Sequence, residues 1–137
     1  MQQVNALDPD TPWGHLSLII TDHAGMTKIH KASFGSAQTT DVISFAYPPT
    51  SPMDEEATGE VIVNAEQAQE QGARYDGPAR ELALYIAHGC QHLTGADDST
   101  PALKQRMRRV ENRWLAEAAV LGLIDPLWPE TAMQEAR

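Results

Sequence analysis

Residues 85–98 read YIAHGCQHLTGADD and place two histidines, His88 and His92, four positions apart. Side chains at this spacing lie on one face of a helix, so both imidazole rings can reach a single metal ion. Gly95 predicts a turn that brings the two aspartates after it back toward the histidines. Two nitrogen ligands, a carboxylate and room for water form the open arrangement of a hydrolytic zinc site.

Two further features of this segment favour a metal site over an ordinary polar helix face. Residues 82–87 are an unbroken apolar run, which predicts a helix that is buried on most sides. Histidines near the end of a buried helix need polar partners. Gly89 costs about 1 kcal/mol of helix stability relative to alanine, which indicates the close approach of a ligand or of a packed neighbour.

Three blocks of the sequence resemble the YbeY family of bacterial rRNA-maturation endoribonucleases. The family signature His-Gly-x-Leu-His-Leu-x-Gly-x-Asp-His is similar to residues 88–98, HGCQHLTGADD. Gln91 replaces a leucine of the signature, and Asp98 stands at its third metal-binding histidine. Residues 40–45, TDVISF, resemble the family's Thr-Asp-Val-Leu-Ser-Phe segment, and residues 59–63, GEVIV, resemble its Gly-Asp-Ile-Val-Ile strand. The blocks occur in the family's order.

The resemblance implies a single α+β domain over residues 1–137 and is strongest over about 15–122. We expect a small three- to four-stranded sheet packed against helices, with the metal site at the end of a central buried helix. One Zn²⁺ per chain would be held by His88, His92 and Asp98. The implied activity is single-strand-specific RNA cleavage in late 16S rRNA maturation and ribosome quality control, with rRNA and the small ribosomal subunit as partners.

One departure from the family bears on catalysis. Family members carry an arginine implicated in activity shortly before the Thr-Asp-Val block, and the resemblance places Phe34 at that position. His88 and His92 would then act through the metal, and another residue would have to supply the cation. Arg80 precedes His88 in the same predicted helix and is our candidate for that cation.

Two other function classes are consistent with the same residues. A ribosome-assembly factor could retain the fold and the metal with little catalysis, because the family arginine is missing. Another metal-dependent hydrolase or an Fe(II) enzyme could use two histidines and one carboxylate. A helical zinc peptidase is not expected, because Gly89 stands where the His-Glu-x-x-His motif has its glutamate. Asp97 and Glu81 are the candidate general bases.

The chain has 137 residues, one cysteine and a net charge of −9. This charge argues against non-specific binding to nucleic acid, and we expect no DNA partner. No apolar stretch approaches the length of a membrane span, and residues 1–10 lack the features of a secretion signal. We therefore expect a cytoplasmic protein without a membrane partner. Cys90 lies two positions from each histidine, so it is expected on another helix face, as a buried residue.

Periodicity and capping residues predict three strands, at 15–20, 42–47 and 60–63, and four helices, at 22–31, 64–74, from 78 onward and at 100–122. The last helix should bury Leu103, Met107, Val110, Trp114, Ala118 and Leu121. Five of the ten lysines and arginines lie between positions 104 and 113. They could form a face that contacts phosphate, but we expect a solvated helix face with Glu111 and Glu117 beside it. Residues 124–137 are predicted to be irregular or partly helical.

Overall fold

A computed structural model describes residues 2–8, 11–49 and 56–128 of the chain. Its elements are α1 (Gln2–Leu7), β1 (Trp13–Thr21), α2 (His23–Phe34), β2 (Val42–Tyr47), β3 (Ala57–Asn64), α3 (Ala65–Gly72), α4 (Pro78–Leu93), α5 (Pro101–Val120) and a 3₁₀ turn (Asp125–Leu127). All predicted strands and helices are present, and α1 is an addition. The predicted tail lies outside the described residues from position 129 onward.

The three strands form one mixed sheet in the order β1-β3-β2. Strand β3 lies in the middle, parallel to β1 and antiparallel to β2. Val61 at the centre of β3 is paired with Leu18 of β1 and with Ser44 of β2. The predicted α+β class with a small sheet is therefore confirmed. None of the helices in the described part of the chain is long and apolar enough to cross a membrane.

Helices cover both faces of this sheet. Successive residues of a strand point to opposite faces, so β3 contributes to two separate apolar clusters. Val61 and Val63 belong to the cluster that contains Leu82 of α4, whereas Ile62 packs with Met26 of α2. Helix α4 thus lies against one face of the sheet and α2 against the other.

Side-chain caps fix where three of the helices begin. Asp22, Asn64 and Thr100 each accept a hydrogen bond from the main-chain N–H three residues further on, at 2.8, 3.1 and 3.2 Å. These are the caps that the sequence predicts. Helix α2 runs beyond the predicted end at position 31, so Phe34 is its last residue instead of the first residue of a loop. Gly35 ends the helix with a φ of 80°.

The face that α5 buries overlaps the predicted one, since Met107 is buried in both, but it is turned toward Glu111 and Leu115. Its buried residues are Met107, Glu111 and Leu115, while Leu121 is 70% exposed. The expectation that Glu111 belongs to a solvated face is therefore wrong, because this residue is only 7% exposed. A buried glutamate on an apolar helix face needs a polar partner, and that partner lies on α4.

Candidate metal centre

The two histidines lie side by side in the last turns of α4. Their ring centroids are 4.5 Å apart, with the rings nearly perpendicular. The Nε2 atom of His92 is 2.9 Å from the Nε2 atom of His88. The helical spacing thus brings two ring nitrogens to one point, as the sequence predicts.

Gly89 allows α4 to approach the sheet closely at this point. A Cβ atom at position 89 would lie 2.7 Å from methyl carbons of Val42 and Val61. The hydroxyl of Ser44 donates a hydrogen bond to the Gly89 carbonyl at 2.8 Å. The close approach indicated by this glycine is therefore that of packed neighbours in β2 and β3.

Hydrogen bonds on the far side of each ring determine which nitrogen is free. The Nδ1 atom of His88 bonds to a carboxylate oxygen of Glu111, and Nδ1 of His92 is 3.1 Å from the carbonyl oxygen of Ala96. Both partners can only accept, so each Nδ1 carries a hydrogen. The two Nε2 atoms are then the ones that face each other, and they either share one hydrogen, donated by a protonated ring, or bind one cation through their lone pairs.

Asp98 adds a carboxylate to the two nitrogens. One of its oxygens lies 3.8 Å from Nε2 of His88, and ligand atoms from His88, His92 and Asp98 all lie within 4.8 Å of one another. Gly95, with a φ of 88°, forms the turn that returns the chain to this position. Two neutral imidazoles and one carboxylate are donors that zinc accepts, so this cluster has the composition of a zinc site.

The carboxylate of Asp97 accepts hydrogen bonds from Ser99, which is not part of the cluster. It accepts from the Ser99 main-chain N–H at 2.9 Å and from the Ser99 hydroxyl at 2.6 Å. These hydrogen bonds, led by the one from the hydroxyl, lower the pKa of Asp97 below its usual value. Asp97 therefore holds the loop, and it is Asp98 that faces the histidines.

Glu111 is the site residue that the sequence analysis missed. Its hydrogen bond raises the pKa of His88, against an opposing effect of burial. Metal-binding histidines commonly bond through their other nitrogen to a carboxylate, which fixes the ring and its tautomer. The sequence spacing does indicate that Glu111 is buried. It lies four residues after Met107 and four before Leu115, on the face that α5 buries.

A second cluster of histidine and glutamate side chains differs from the first in its hydrogen bonds, which leave no free histidine nitrogen for a metal. His23, Glu66 and Glu70 lie close together between α2 and α3. Nδ1 of His23 accepts a hydrogen bond from the side-chain amide of Asn64 at 2.9 Å, because the amide oxygen is engaged by the main-chain N–H of Gln67. Nε2 must then carry the hydrogen and donate to Glu70 at 3.0 Å. This nitrogen has no lone pair for a metal, so the group ties α2 to α3.

Two of the proposed catalytic groups lie far from the histidines. Arg80 is in the first turn of α4, where it contacts Asp76 at 3.7 Å. Eight residues separate it from His88, which is about 12 Å along a helix axis. Glu81 occupies the same first turn. The structure therefore does not bring either residue to the metal cluster, because each lies near the opposite end of the helix.

Neither Cys90 nor the basic residues of α5 belong to the cluster of His88, His92 and Asp98. Cys90 packs against the cluster of apolar residues between α4 and the sheet, and burial raises the pKa of its thiol. A protonated thiol is a poor nucleophile and a poor ligand. The five basic residues between positions 104 and 113 are all exposed, as expected for a solvated face.

A cleft opens next to the cluster. Its volume is about 450 Å³, within the range of small-molecule sites. His92 lines this cleft together with His30, Phe34, Thr40, Val42 and Ser44. His92 is therefore accessible from a cavity formed by the end of α2 and strand β2.

Fold and site together define an α+β protein with a helix-borne cluster of two histidines and one carboxylate, open to a cleft. The family described as Endoribonuclease YbeY matches residues 1–119. The chain belongs to the YbeY family, and the resemblance seen in the sequence is confirmed.

Relatives named Endoribonuclease YbeY support this assignment. The one from Salinibacter ruber is 35% identical over 107 residues, which cover 74% of this chain and 68% of the relative. The one from Rhodopirellula baltica is 34% identical over 117 residues, or 83% of this chain, and the match spans only 57% of that relative. The solution structure of TM1509 from Thermotoga maritima has the same fold, with a TM-score of 0.60 and 19% identity over 92% of this chain and 80% of that one.

Proposed function

We propose that this chain is a zinc-dependent endoribonuclease that cleaves single-stranded RNA in the maturation of small-subunit rRNA. The observation that supports it most is the 2.9 Å approach of the two histidine Nε2 atoms, beside an Asp98 carboxylate oxygen that lies 3.8 Å from the Nε2 atom of His88. The name of the relatives, Endoribonuclease YbeY, supplies the reaction class. A bound zinc ion would supply a Lewis acid for a phosphate oxygen and would lower the pKa of water.

The residues of the chain would hold and orient this ion. His88 and His92 offer nitrogen atoms and Asp98 offers an oxygen atom. The Glu111 carboxylate and the Ala96 carbonyl keep the two rings in the tautomer that leaves Nε2 free. His92 lines the cleft, so a phosphodiester that enters the cleft can reach the site. The three proposed metal ligands thus come from one helix and the loop after it, and α5 supplies the carboxylate that orients His88.

The experiment compares a single-stranded RNA with the corresponding duplex, using protein loaded with zinc. We expect cleavage of the single strand only, and we expect His92→Ala to abolish it. His15→Ala is the matched control, because His15 is an exposed histidine of β1 that lies outside the cleft. Equal cleavage by the wild-type protein and His92→Ala would contradict the proposal and would indicate a contaminating nuclease.

An assembly factor with a retained metal site is the second candidate. The observation that favours it is the absence of lysine and arginine among the described residues that line the cleft, in a chain of net charge −9. If this candidate is correct, the zinc-loaded protein binds RNA and leaves it intact. In that case the resemblance would place the loss of activity at Phe34, where the family has its arginine.

A further inference from the structure

Phe34 presents an exposed aromatic ring to the cleft beside the metal centre. It is the last residue of α2 and is 58% exposed. A single exposed apolar side chain needs no explanation in itself. This ring, however, lines the same cavity as His92, the predicted metal ligand. Its position is thus that of a residue that contacts whatever enters the cleft.

Two neighbouring rings hold Phe34 in place. The ring of Phe45 is nearly parallel to it, at 15° and a centroid distance of 6.3 Å. The ring of His30 lies 4.9 Å away and is tilted by 49°. His30 is in turn held by a hydrogen bond from its Nδ1 atom to the Ser36 carbonyl. A ring that is already ordered loses little conformational entropy when a ligand binds to it.

The other groups that line the cleft indicate what kind of ligand it accepts. They are hydroxyls, one amide, the His30 imidazole and aliphatic carbons, and no carboxylate, lysine or arginine lies among the described lining residues. A site for a phosphate alone would be built with cations. A flat apolar ring beside hydroxyl and amide groups matches a nucleobase, which has an aromatic face and polar edges.

We propose that Phe34 is a stacking platform for one nucleobase of a single-stranded RNA, and that this contact positions the neighbouring phosphodiester at the metal centre. The inference rests on the proposed ribonuclease function and adds a binding subsite to it. Every base has an aromatic face, so the subsite tolerates all four bases. Base pairing in a duplex keeps the base away from Phe34, which favours single strands.

The test uses a short RNA that contains one 2-aminopurine, whose fluorescence is quenched by stacking. Zinc-loaded wild-type protein is mixed with it in a stopped-flow instrument, and quenching is followed before cleavage. We expect Phe34→Ala to lose the quenching and to raise KM on the order of 10-fold, with a smaller change in kcat. Phe34→Trp should retain both properties. Phe34→Leu should behave like Phe34→Ala, because it keeps apolar surface and removes the ring.

Tyr75→Ala is the control, because Tyr75 is an aromatic residue that is 70% exposed and lies outside the cleft. The inference is overturned if Phe34→Ala keeps the quenching and KM of the wild-type protein, or if Phe34→Leu matches Phe34→Trp. The ribonuclease function would survive that result, provided that the wild-type protein cleaves. If the wild-type protein quenches the probe but does not cleave, the function fails, and loss of quenching in Phe34→Ala still supports the subsite.

Discussion

At the scale of single residues, the predicted metal centre depends on hydrogen bonds that do not involve the metal. Glu111 and the Ala96 carbonyl each accept from an Nδ1 atom, and this leaves the two Nε2 atoms facing each other at 2.9 Å, where one metal ion can bind both. At His23 the hydrogen lies on the other ring nitrogen, because Asn64 donates a hydrogen bond to Nδ1. The partner of Nδ1 therefore determines whether Nε2 of a histidine can bind a metal or donates a hydrogen bond.

Glu111→Ala should weaken zinc binding by about 10- to 100-fold, the usual effect of removing such a carboxylate. The physical reason is that His88 loses the acceptor that fixes its tautomer and ring orientation. Competition with a fluorescent zinc chelator measures the Kd. Glu117→Ala, an exposed glutamate on the same helix, is the matched control and should bind as the wild-type protein does. Unchanged affinity in Glu111→Ala would remove this residue from the site.

Asp98→Ala should also weaken zinc binding, whereas Asp97→Ala should leave the affinity close to that of the wild-type protein. Asp98 faces the histidines at 3.8 Å, and Asp97 is engaged by Ser99. Asp98→His should raise the affinity, because it restores the third metal-binding histidine of the family signature, which Asp98 replaces in this chain. Isothermal titration with zinc distinguishes the variants. The opposite pattern, with loss only in Asp97→Ala, would shift the third ligand by one position.

The thiol of Cys90 should react slowly at neutral pH. Burial raises its pKa, because a thiolate is poorly stabilised away from water. Only the thiolate is alkylated, so the alkylation rate follows the fraction of Cys90 that is ionised. In the folded protein this rate should keep rising above the pH at which the same thiol is half ionised in urea-unfolded protein. Rates with iodoacetamide across a pH series give this comparison. A midpoint at or below that of the unfolded protein would show an activated thiol. Cys90→Ala should keep its zinc.

At the scale of elements, α4 both packs on the sheet and carries two of the predicted metal ligands. One side of the helix packs on the sheet, through residues such as Leu82 and Tyr85. Its last turns carry the two histidines. Gly89 connects the packing to the site, because it lets the helix lie against Val42 and Val61 next to the two histidines.

Gly89→Ala should destabilise the protein, although alanine is the better helix former. The added methyl group would lie 2.7 Å from side-chain carbons of Val42 and Val61. Overpacking of this kind costs about 1–3 kcal/mol, against a helix-propensity gain of about 1 kcal/mol. Urea unfolding gives the difference. The control Asn112→Ala, at an exposed position of α5, should be neutral or stabilising. A Gly89→Ala variant as stable as the wild-type protein would refute the close packing.

Local sequence signals predicted the elements well. Helix caps at Asp22, Asn64 and Thr100 act within three residues, so their effect is visible in the sequence. The buried face of α5 was predicted less well. Its apolar residues are spread around the helix, and the contact of Glu111 with His88 joins two residues that are 23 positions apart in different helices. Such a contact depends on how two helices pack, which periodicity alone does not determine.

At the scale of the whole molecule, the layered arrangement creates the cleft. Helix α2 ends at Phe34 on one side of the sheet, α4 carries His92 on the other, and both residues line one cavity. The sequence predicted the metal ligands as one group, because they lie within eleven positions. It did not predict that Phe34 shares their cavity, because that neighbourhood depends on how α2 and α4 pack against the sheet.

Zinc binding should also be visible in the stability of the whole protein. An ion that binds only the folded state adds RT ln(1 + [L]/Kd), which is about 2.7 kcal/mol at 100 times the Kd. Metal-free protein has two histidine nitrogens and two carboxylates crowded at the end of α4. Removal of zinc should therefore lower the Tm of the wild-type protein, and the Tm of His92→Ala should not respond to zinc.

The zinc content of the purified protein is the most direct test that His88, His92 and Asp98 hold a metal ion. The protein is prepared without chelators, and its metal content is determined by elemental analysis beside that of His92→Ala. We predict about one zinc per chain in the wild-type protein and a loss of zinc in the variant, with the fold retained by circular dichroism. A wild-type protein without stoichiometric transition metal after zinc is supplied, or a His92→Ala variant with the same zinc content, would contradict the account.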